Sequence, residues 1–183
     1  MITSLDCMSC FVRQALQAAR FVTPDEKVHE RVIRQVLLAA AEMDLSVPPP
    51  LIAQKFHRLL RELTGNDDPY REAKNRMNDS ALGMLPYFER KVAAQANPFG
   101  LATRLAIAGN MMDLGIFADV SEEEVREAFE NVLSEPFAGS MEVFQRAVEE
   151  AESILYLADN AGEIVFDRLL VEQLPLERVT LAV

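Results

Sequence analysis

Along the first three quarters of the chain, apolar residues return every three or four positions, the period of a helix with one buried face. Residues 10–21 carry Phe11, Val12, Ala15, Leu16 and Ala19 at this spacing. Thr23 as a cap, Pro24 at the first helical position and Glu26 as capping-box partner predict the next start. The stripe behind it is Val28, Val32, Val36, Leu37 and Ala40. Pro48, Pro49 and Pro50 close that unit and open a third helix, with Leu51, Ile52, Phe56, Leu59, Leu60 and Leu63 on one face. Gly65 and the turn-forming GNDDP stop it. Residues 69–95 are again helical, and Gly83 with Pro86 predicts a break or kink. Asn97-Pro98 opens a helix running to about Leu114. Ser121 with Glu124 repeats the capping-box signal ahead of Val125, Phe129 and Leu133, and residues 140–152 form a last amphipathic segment.

The pattern then changes. Ile154 to Ala158 is a short continuous apolar run, which predicts a strand buried on both faces. A polar turn, DNAG, follows. Glu163 to Gln173 is helical, with Val165, Phe166, Leu169, Leu170 and Leu174 placed to face a sheet. After Pro175, residues 178–183 read as a second strand. Strand–helix–strand at these lengths is a βαβ unit, parallel and right-handed. The expected class is mixed, α+β or α/β: an all-helical region over residues 1–150, then the first βαβ unit of a parallel α/β domain over 151–183. Two parallel strands do not make a stable sheet alone. They need further strands from a partner chain or from a longer protein, and the second is the expectation here.

Composition narrows the partners. The net charge is -11, which argues against nucleic acid, whose phosphates attract basic surfaces. It does not argue against a small phosphorylated metabolite, because one bound cation can supply positive charge locally. The N-terminus MITSLDCMSC has neither a basic start nor a long apolar stretch, so it does not read as a signal peptide. No apolar run approaches the roughly 20 residues that span a membrane. A soluble cytoplasmic protein is expected, with no membrane partner.

Four places carry candidate chemistry. Asp159 and Asn160 fall at the carboxyl end of the first predicted strand, where open α/β sheets place ligands. A carboxylate and an amide oxygen are hard donors that suit Mg²⁺ or Mn²⁺ better than zinc. The amides of Ala161, Gly162 and Glu163 begin the next helix, where an anion such as phosphate is favoured. Gly162 lets backbone come close to a bound group, and Glu163 is placed to orient a water or a sugar hydroxyl. The structural alternative is that Asp159 simply caps the helix, which is the commoner use of such a residue. The turn lacks the glycine spacing of a dinucleotide site.

Asn110 and Asp113, three apart on a helix, share a face. Their neighbours Ala106, Ile107, Ala108, Met111 and Met112 are apolar, so both are expected to be largely buried, either capping or bridging helices within the core or lining a pocket above the strand end. Cys7 and Cys10 have the spacing of half a zinc site, or are two partly buried thiols at a helix start. No second such pair exists, and His29 and His57, the two imidazoles, are expected on solvent-facing helical surfaces. Asp68-Pro69-Tyr70 with Lys74 and Asn75 reads as a loop and a helix start.

In this order CMSC, DPYREAKN, NPFGLATRLAIAGNMMDLG and ILYLADNAGEIVFD resemble the metal-dependent damage-control phosphatases of the DUF89, or ARMT1-like, group, in its stand-alone microbial branch with a CxxC pair. The last two blocks are the specific ones. The resemblance implies a helical region packed on a Rossmann-like α/β domain. It implies hydrolysis of small phosphate monoesters, such as damaged or unwanted sugar phosphates, with a divalent cation: Mn²⁺, Co²⁺, Ni²⁺ or Mg²⁺. By position, Asp159 and Asn160 match metal ligands, with Asp159 and Glu163 as catalytic groups. Asn110, Asp113 and Gly162 fall with substrate binding, and Cys7 with Cys10 is a second candidate metal site. The group's third ligand is an aspartate just after the next strand, beyond Val183, so the expectation is an incomplete site in these residues, as in a fragment, a cleaved product or a degenerate protein. Two rivals stand beside this reading. One is a non-catalytic helical protein whose βαβ unit completes a homo-oligomer. The other is an S-adenosylmethionine-dependent methyltransferase, disfavoured by the lack of a glycine-rich loop.

Overall fold

The structure, a computed structural model, describes residues 2–110 and 122–183. Leu114 and Ser121, which figured in two predicted helix boundaries, lie outside the described residues. The chain divides into two compact units, Met1–Glu72 and Ala73–Val183. Packing thus divides at residue 72, whereas the sequence pattern changes at 151.

The first unit holds α1 (Leu5–Val22), α2 (Glu26–Ala41) and α3 (Pro49–Thr64). Its core is Phe11, Ala15, Ala18 and Ala19 of α1, Val32, Val36 and Ala40 of α2, and Ile52, Phe56 and Leu60 of α3. The alanines leave no bulk at the α1 surface, so neighbouring helices approach closely. The predicted start of α2 moves by two residues. Pro24 forces Thr23 into extended backbone, at φ -158°, because the proline ring crowds the residue before it. Asp25 becomes the cap, its carboxylate accepting from the Lys27 amide at 2.9 Å. The predicted face of α3 is right except at Leu51, which is exposed. Gly65 ends that helix at φ 66°, a left-handed conformation that costs glycine little.

The second unit holds most of α4 (Arg71–Ala93), then α5 (Pro98–Gly109), α6 (Glu122–Ser134), α7 (Met141–Glu150), β1 (Ile154–Leu157), α8 (Glu163–Val171), a 3₁₀ turn (Leu176–Arg178) and β2 (Val179–Ala182). The break expected at Gly83 and Pro86 does not occur. Pro86 lies inside a continuous α4. Its missing N–H would have bonded Leu82, which is exposed, so water can serve that carbonyl. Met84, Leu85 and Phe88 meanwhile bury on the other side.

Three phenylalanines centre this unit. Phe88, Phe129 and Phe166 are all buried, with ring centroids 4.5–5.7 Å apart. Gly109 lets α5 press against α8. A side chain there would start 3.2 Å from Phe166 Cβ. β1 and β2 are parallel, pairing Ile154 with Val179 and Leu157 with Ala182 around the α8 crossover. The βαβ unit is therefore present in a mostly helical chain, the mixed class expected. All five apolar positions predicted to face the sheet from α8 and its C-terminal turn are buried. β1 is not buried on both faces, however. Ile154 and Tyr156 pack on the core, while Leu155 and Leu157 are 64% and 70% exposed. Among the described residues the helices cover one face of the sheet and nothing covers the other. No helix among them is long and apolar enough to cross a membrane.

Candidate active site

β1 delivers the chain to Asp159 and Asn160, both exposed. The turn passes through Gly162 at φ 82° and enters α8 at Glu163. Positive φ is strained for any residue with a Cβ, so glycine makes this tight strand-to-helix reversal possible. The Asn160 amide donates to Glu163 Oε2 at 2.9 Å and leans on Asp159 Oδ2 at 3.4 Å. The fold thus gathers Asp159, Asn160 and Glu163 at one corner, as the sequence reading had them.

Asp159 is not the helix cap. Gly162 holds that position, and α8 has no side-chain cap bond. The capping alternative, the more common use of such an aspartate, is not realised. The expectation of free amides for an anion needs a correction. The Gly162 N–H donates to Asn78 Oδ1 at 2.7 Å. A side chain of α4 therefore occupies one of the helix-start donors. Asn78 was not foreseen, because it lies 84 residues away in the chain and no local pattern marks it.

Asn110 sits just past the end of α5 and is exposed, not buried. The face that Asn110 was expected to share with Asp113 lies outside the described residues, as does Asp113 itself. Asn110 does line a groove of about 550 Å³ with Thr103, Phe144, Tyr156, Glu163 and Asp167. Asn110 is also the C-terminal cap of α5, its N–H bonding the Ala106 carbonyl oxygen at 3.3 Å, so the capping and pocket-lining alternatives hold together for it.

Asp167, also unforeseen, lies one turn beyond Glu163 and is buried. Tyr156 on β1 donates to its Oδ1 at 2.7 Å, while Oδ2 has no partner among the described residues. A sequence signal existed: an acid set among Val165, Phe166, Leu169 and Leu170 in an otherwise apolar helix. Burial pushes Asp167 up to about 6; the Tyr156 hydrogen bond opposes this, and the Glu163 charge adds to it. Burial and the neighbouring carboxylate push Tyr156 up as well. A carboxyl raised in this way holds its proton more tightly in the folded chain than in the unfolded one. Its stabilising contribution is full below about pH 4 and is lost as the pH rises through about 6. Between those limits, the stability of the parent protein relative to Asp167→Asn is expected to fall by about 2–3 kcal/mol as pH rises. Urea unfolding midpoints of both proteins across that range check it; parallel curves would show that the carboxyl is not perturbed.

Cys7 and Cys10 belong to the first unit, in the opening turns of α1. Both are half-buried free thiols. Cys7 Sγ lies 3.8 Å from Ser4 Oγ. Neither histidine is on a solvent-facing surface as expected. His29 is half-buried and bonds the Thr23 carbonyl oxygen at 2.7 Å. His57 is half-buried, edge-on to Tyr70. Asp68 Oδ1 accepts from the Tyr70 amide at 3.2 Å, the helix-start role expected for this loop. Among the described residues no group of three or more His, Cys, Asp or Glu could hold a metal. At the Asp159 corner, the donors would be the Asp159 carboxylate, the Asn160 amide oxygen and water.

Residues 3–183 match the family model described as the damage-control phosphatase ARMT1-like domain. Over 172 residues the chain is 34% identical to a protein of Archaeoglobus fulgidus named damage-control phosphatase, and 31% identical to one so named in Pyrococcus horikoshii. Each match covers 92% of this chain and 59% or 58% of the relative. The crystal structure of a DUF89 family protein from Pyrococcus horikoshii matches with a TM-score of 0.84 at 26% identity, over 99% of this chain and 64% of that one. The chain thus spans about three fifths of the length of these curated relatives. With the four sequence blocks in order and the βαβ corner in place, the chain belongs to the ARMT1-like damage-control phosphatase family.

Proposed function

We propose that this protein serves as a divalent-metal-dependent phosphatase acting on small phosphate monoesters, sugar phosphates among them, to clear damaged or unwanted metabolites. The observation that carries the reading is the unspent pair at the end of β1. Asp159 and Asn160 do not cap α8, and both are exposed beside Glu163. The names of the relatives support the phosphatase class.

The donor set suits a hard cation. Mg²⁺ and similar ions are held by one or two carboxylates and keep several waters or phosphoryl oxygens. Asp159 through its carboxylate and Asn160 through its carbonyl oxygen would hold the ion. When bound, such an ion polarises a phosphoryl oxygen and orients the attacking oxygen. The chain's own groups do the rest. Asn160 spends its amide hydrogens on Glu163 and Asp159, which leaves its carbonyl oxygen as the donor atom for the ion. Glu163 is set to orient a water or a substrate hydroxyl. Asn110 and Asp113 would bind the rest of the ester, and the Gly162 turn lets it approach the backbone. Transfer of a phosphoryl group depends mainly on such positioning.

The test is phosphate release from a panel of sugar phosphates with Mn²⁺, Co²⁺, Ni²⁺ or Mg²⁺ by the protein carried to the full length of its relatives, of which residues 1–183 span about three fifths, repeated after chelation. At least one ester should turn over, with a loss of about tenfold or more when the metal is removed. Absence of metal-dependent release across the panel would sink the reading.

A further inference from the structure

The groove beside Glu163 has a chemical bias in its wall. Thr103 lines it, but the Thr103 hydroxyl donates to the Phe99 carbonyl oxygen at 2.8 Å. Tyr156 lines it, but its hydroxyl donates to Asp167 at 2.7 Å. Glu163 lines it as a carboxylate, and the Asn160 amide donates to it. A hydroxyl has one hydrogen and two lone pairs. With that hydrogen committed inward, the oxygen of Tyr156 has only lone pairs to offer the groove. Beside Asn110, whose amide can both donate and accept, these three groups present acceptors, and the ligand that satisfies them is one rich in hydroxyl donors.

Asp167 holds this arrangement. It is 3% exposed, and its Oδ2 lacks a partner among the described residues. A buried carboxylate with half of its hydrogen-bonding capacity unmet is costly and needs a reason. Among the described residues its hydrogen bond is the one from the Tyr156 hydroxyl at 2.7 Å. Burial places its pKa at about 6, so it is ionised at neutral pH and can only accept.

We propose that Tyr156 is a specificity-determining residue: its oxygen accepts a hydrogen bond from a hydroxyl on the organic part of the ester, and Asp167 is the positioning residue that commits the phenol proton. The proposal rests on the phosphatase reading and adds to it a choice among esters, polyhydroxylated ones over those without hydroxyls.

The experiment compares kcat/KM for a hexose phosphate and for phenyl phosphate with Mn²⁺. Tyr156→Phe keeps the packed ring and removes only the oxygen. The ratio of hexose phosphate to phenyl phosphate should fall about 5- to 10-fold, the size of one hydrogen bond. Asp167→Leu should lower the ratio by a smaller factor, and should not lower it further in the Tyr156→Phe background, since it acts through Tyr156. Equal losses on both esters, or an unchanged ratio in folded Tyr156→Phe, would overturn the proposal while leaving the phosphatase reading intact. An additional drop in the double variant would overturn the role of Asp167. If the parent protein hydrolyses neither these nor any other ester, the phosphatase reading itself fails and the proposal goes with it.

Discussion

Replacing Asp159 with alanine is expected to lower metal-dependent phosphate release by about 10³-fold or more, with the unfolding midpoint unchanged. The first half follows from the proposed role. Among the described residues, Asp159 and Glu163 are the carboxylates at the proposed metal site, and a metal's stabilisation of developing phosphoryl charge amounts to several kcal/mol of the barrier. Losing the anionic ligand removes the ion and that term together. The second half follows from position. Asp159 is exposed, and it neither caps α8 nor pairs with a basic group in the turn. Among the described residues its hydrogen bond is to the Asn160 amide at 3.4 Å, long for such a bond. Steady-state phosphate release and Mn²⁺ titration of both proteins test it. Retained metal affinity and turnover in Asp159→Ala would remove the basis of the metal assignment.

Phe166→Ala is expected to cost about 3–5 kcal/mol. Phe166 has no exposed surface. Its ring meets Phe129 at 4.5 Å and Phe88 edge-on at 5.7 Å. Its Cβ also lies against the position where Gly109 lacks a side chain. Four elements, α4, α5, α6 and α8, thus meet on one ring, and truncation leaves a cavity that none can fill without moving the others. Against a total stability of about 5–15 kcal/mol, typical of globular domains, that loss is large. Chemical denaturation measures it, with Leu155→Ala as a comparison. Leu155 is 64% exposed on the uncovered face of β1, and its truncation should cost less than about 1 kcal/mol. Similar losses for the two would mean that the ring cluster is not the packing centre.

The same ring cluster ties stability to the site. Phe166 and Asp167 are successive residues of α8, and Glu163 stands one turn before Asp167. Seating the ring therefore fixes the rotation of the helix that presents Glu163 and Asp167 to the groove. A variant that loosens the cluster should weaken substrate selection as well as stability, whereas a variant at the exposed Asp159 should leave stability alone.

Periodicity and punctuation were enough to locate nearly every element. Helical stripes marked α1 to α5, Pro48–Pro50 and Gly65 bracketed α3, and the change of pattern at Ile154 announced the βαβ unit with its five buried apolar positions. Errors fell where two local signals competed. Thr23 and Asp25 are both good caps; the Thr23 hydroxyl is taken by the Asp25 amide at 3.2 Å, and the Asp25 carboxylate caps the Lys27 amide. Pro86 is a breaker by rule, yet packing on the opposite face of α4 carried the helix through it.

For the site, the corner of Asp159, Asn160 and Glu163 was legible because all three lie within five residues, and a strand end and helix start place them without any help from afar. Their freedom from capping was not legible; it depends on Gly162 taking the cap position. The Asn78 bond to Gly162, the Tyr156–Asp167 pair and the exposure of Asn110 are decided by tertiary structure. A local pattern carries which face of an element is apolar. It does not carry which polar group from another element arrives at that face, because such a partner is specified by how helices and strands pack over long stretches of chain. By itself the sequence determined the elements, the family resemblance and the corner where Asp159, Asn160 and Glu163 meet. Only the packing of α4, α5 and β1 around α8 decided which hydrogen-bonding groups are spent inward and which are left for a ligand.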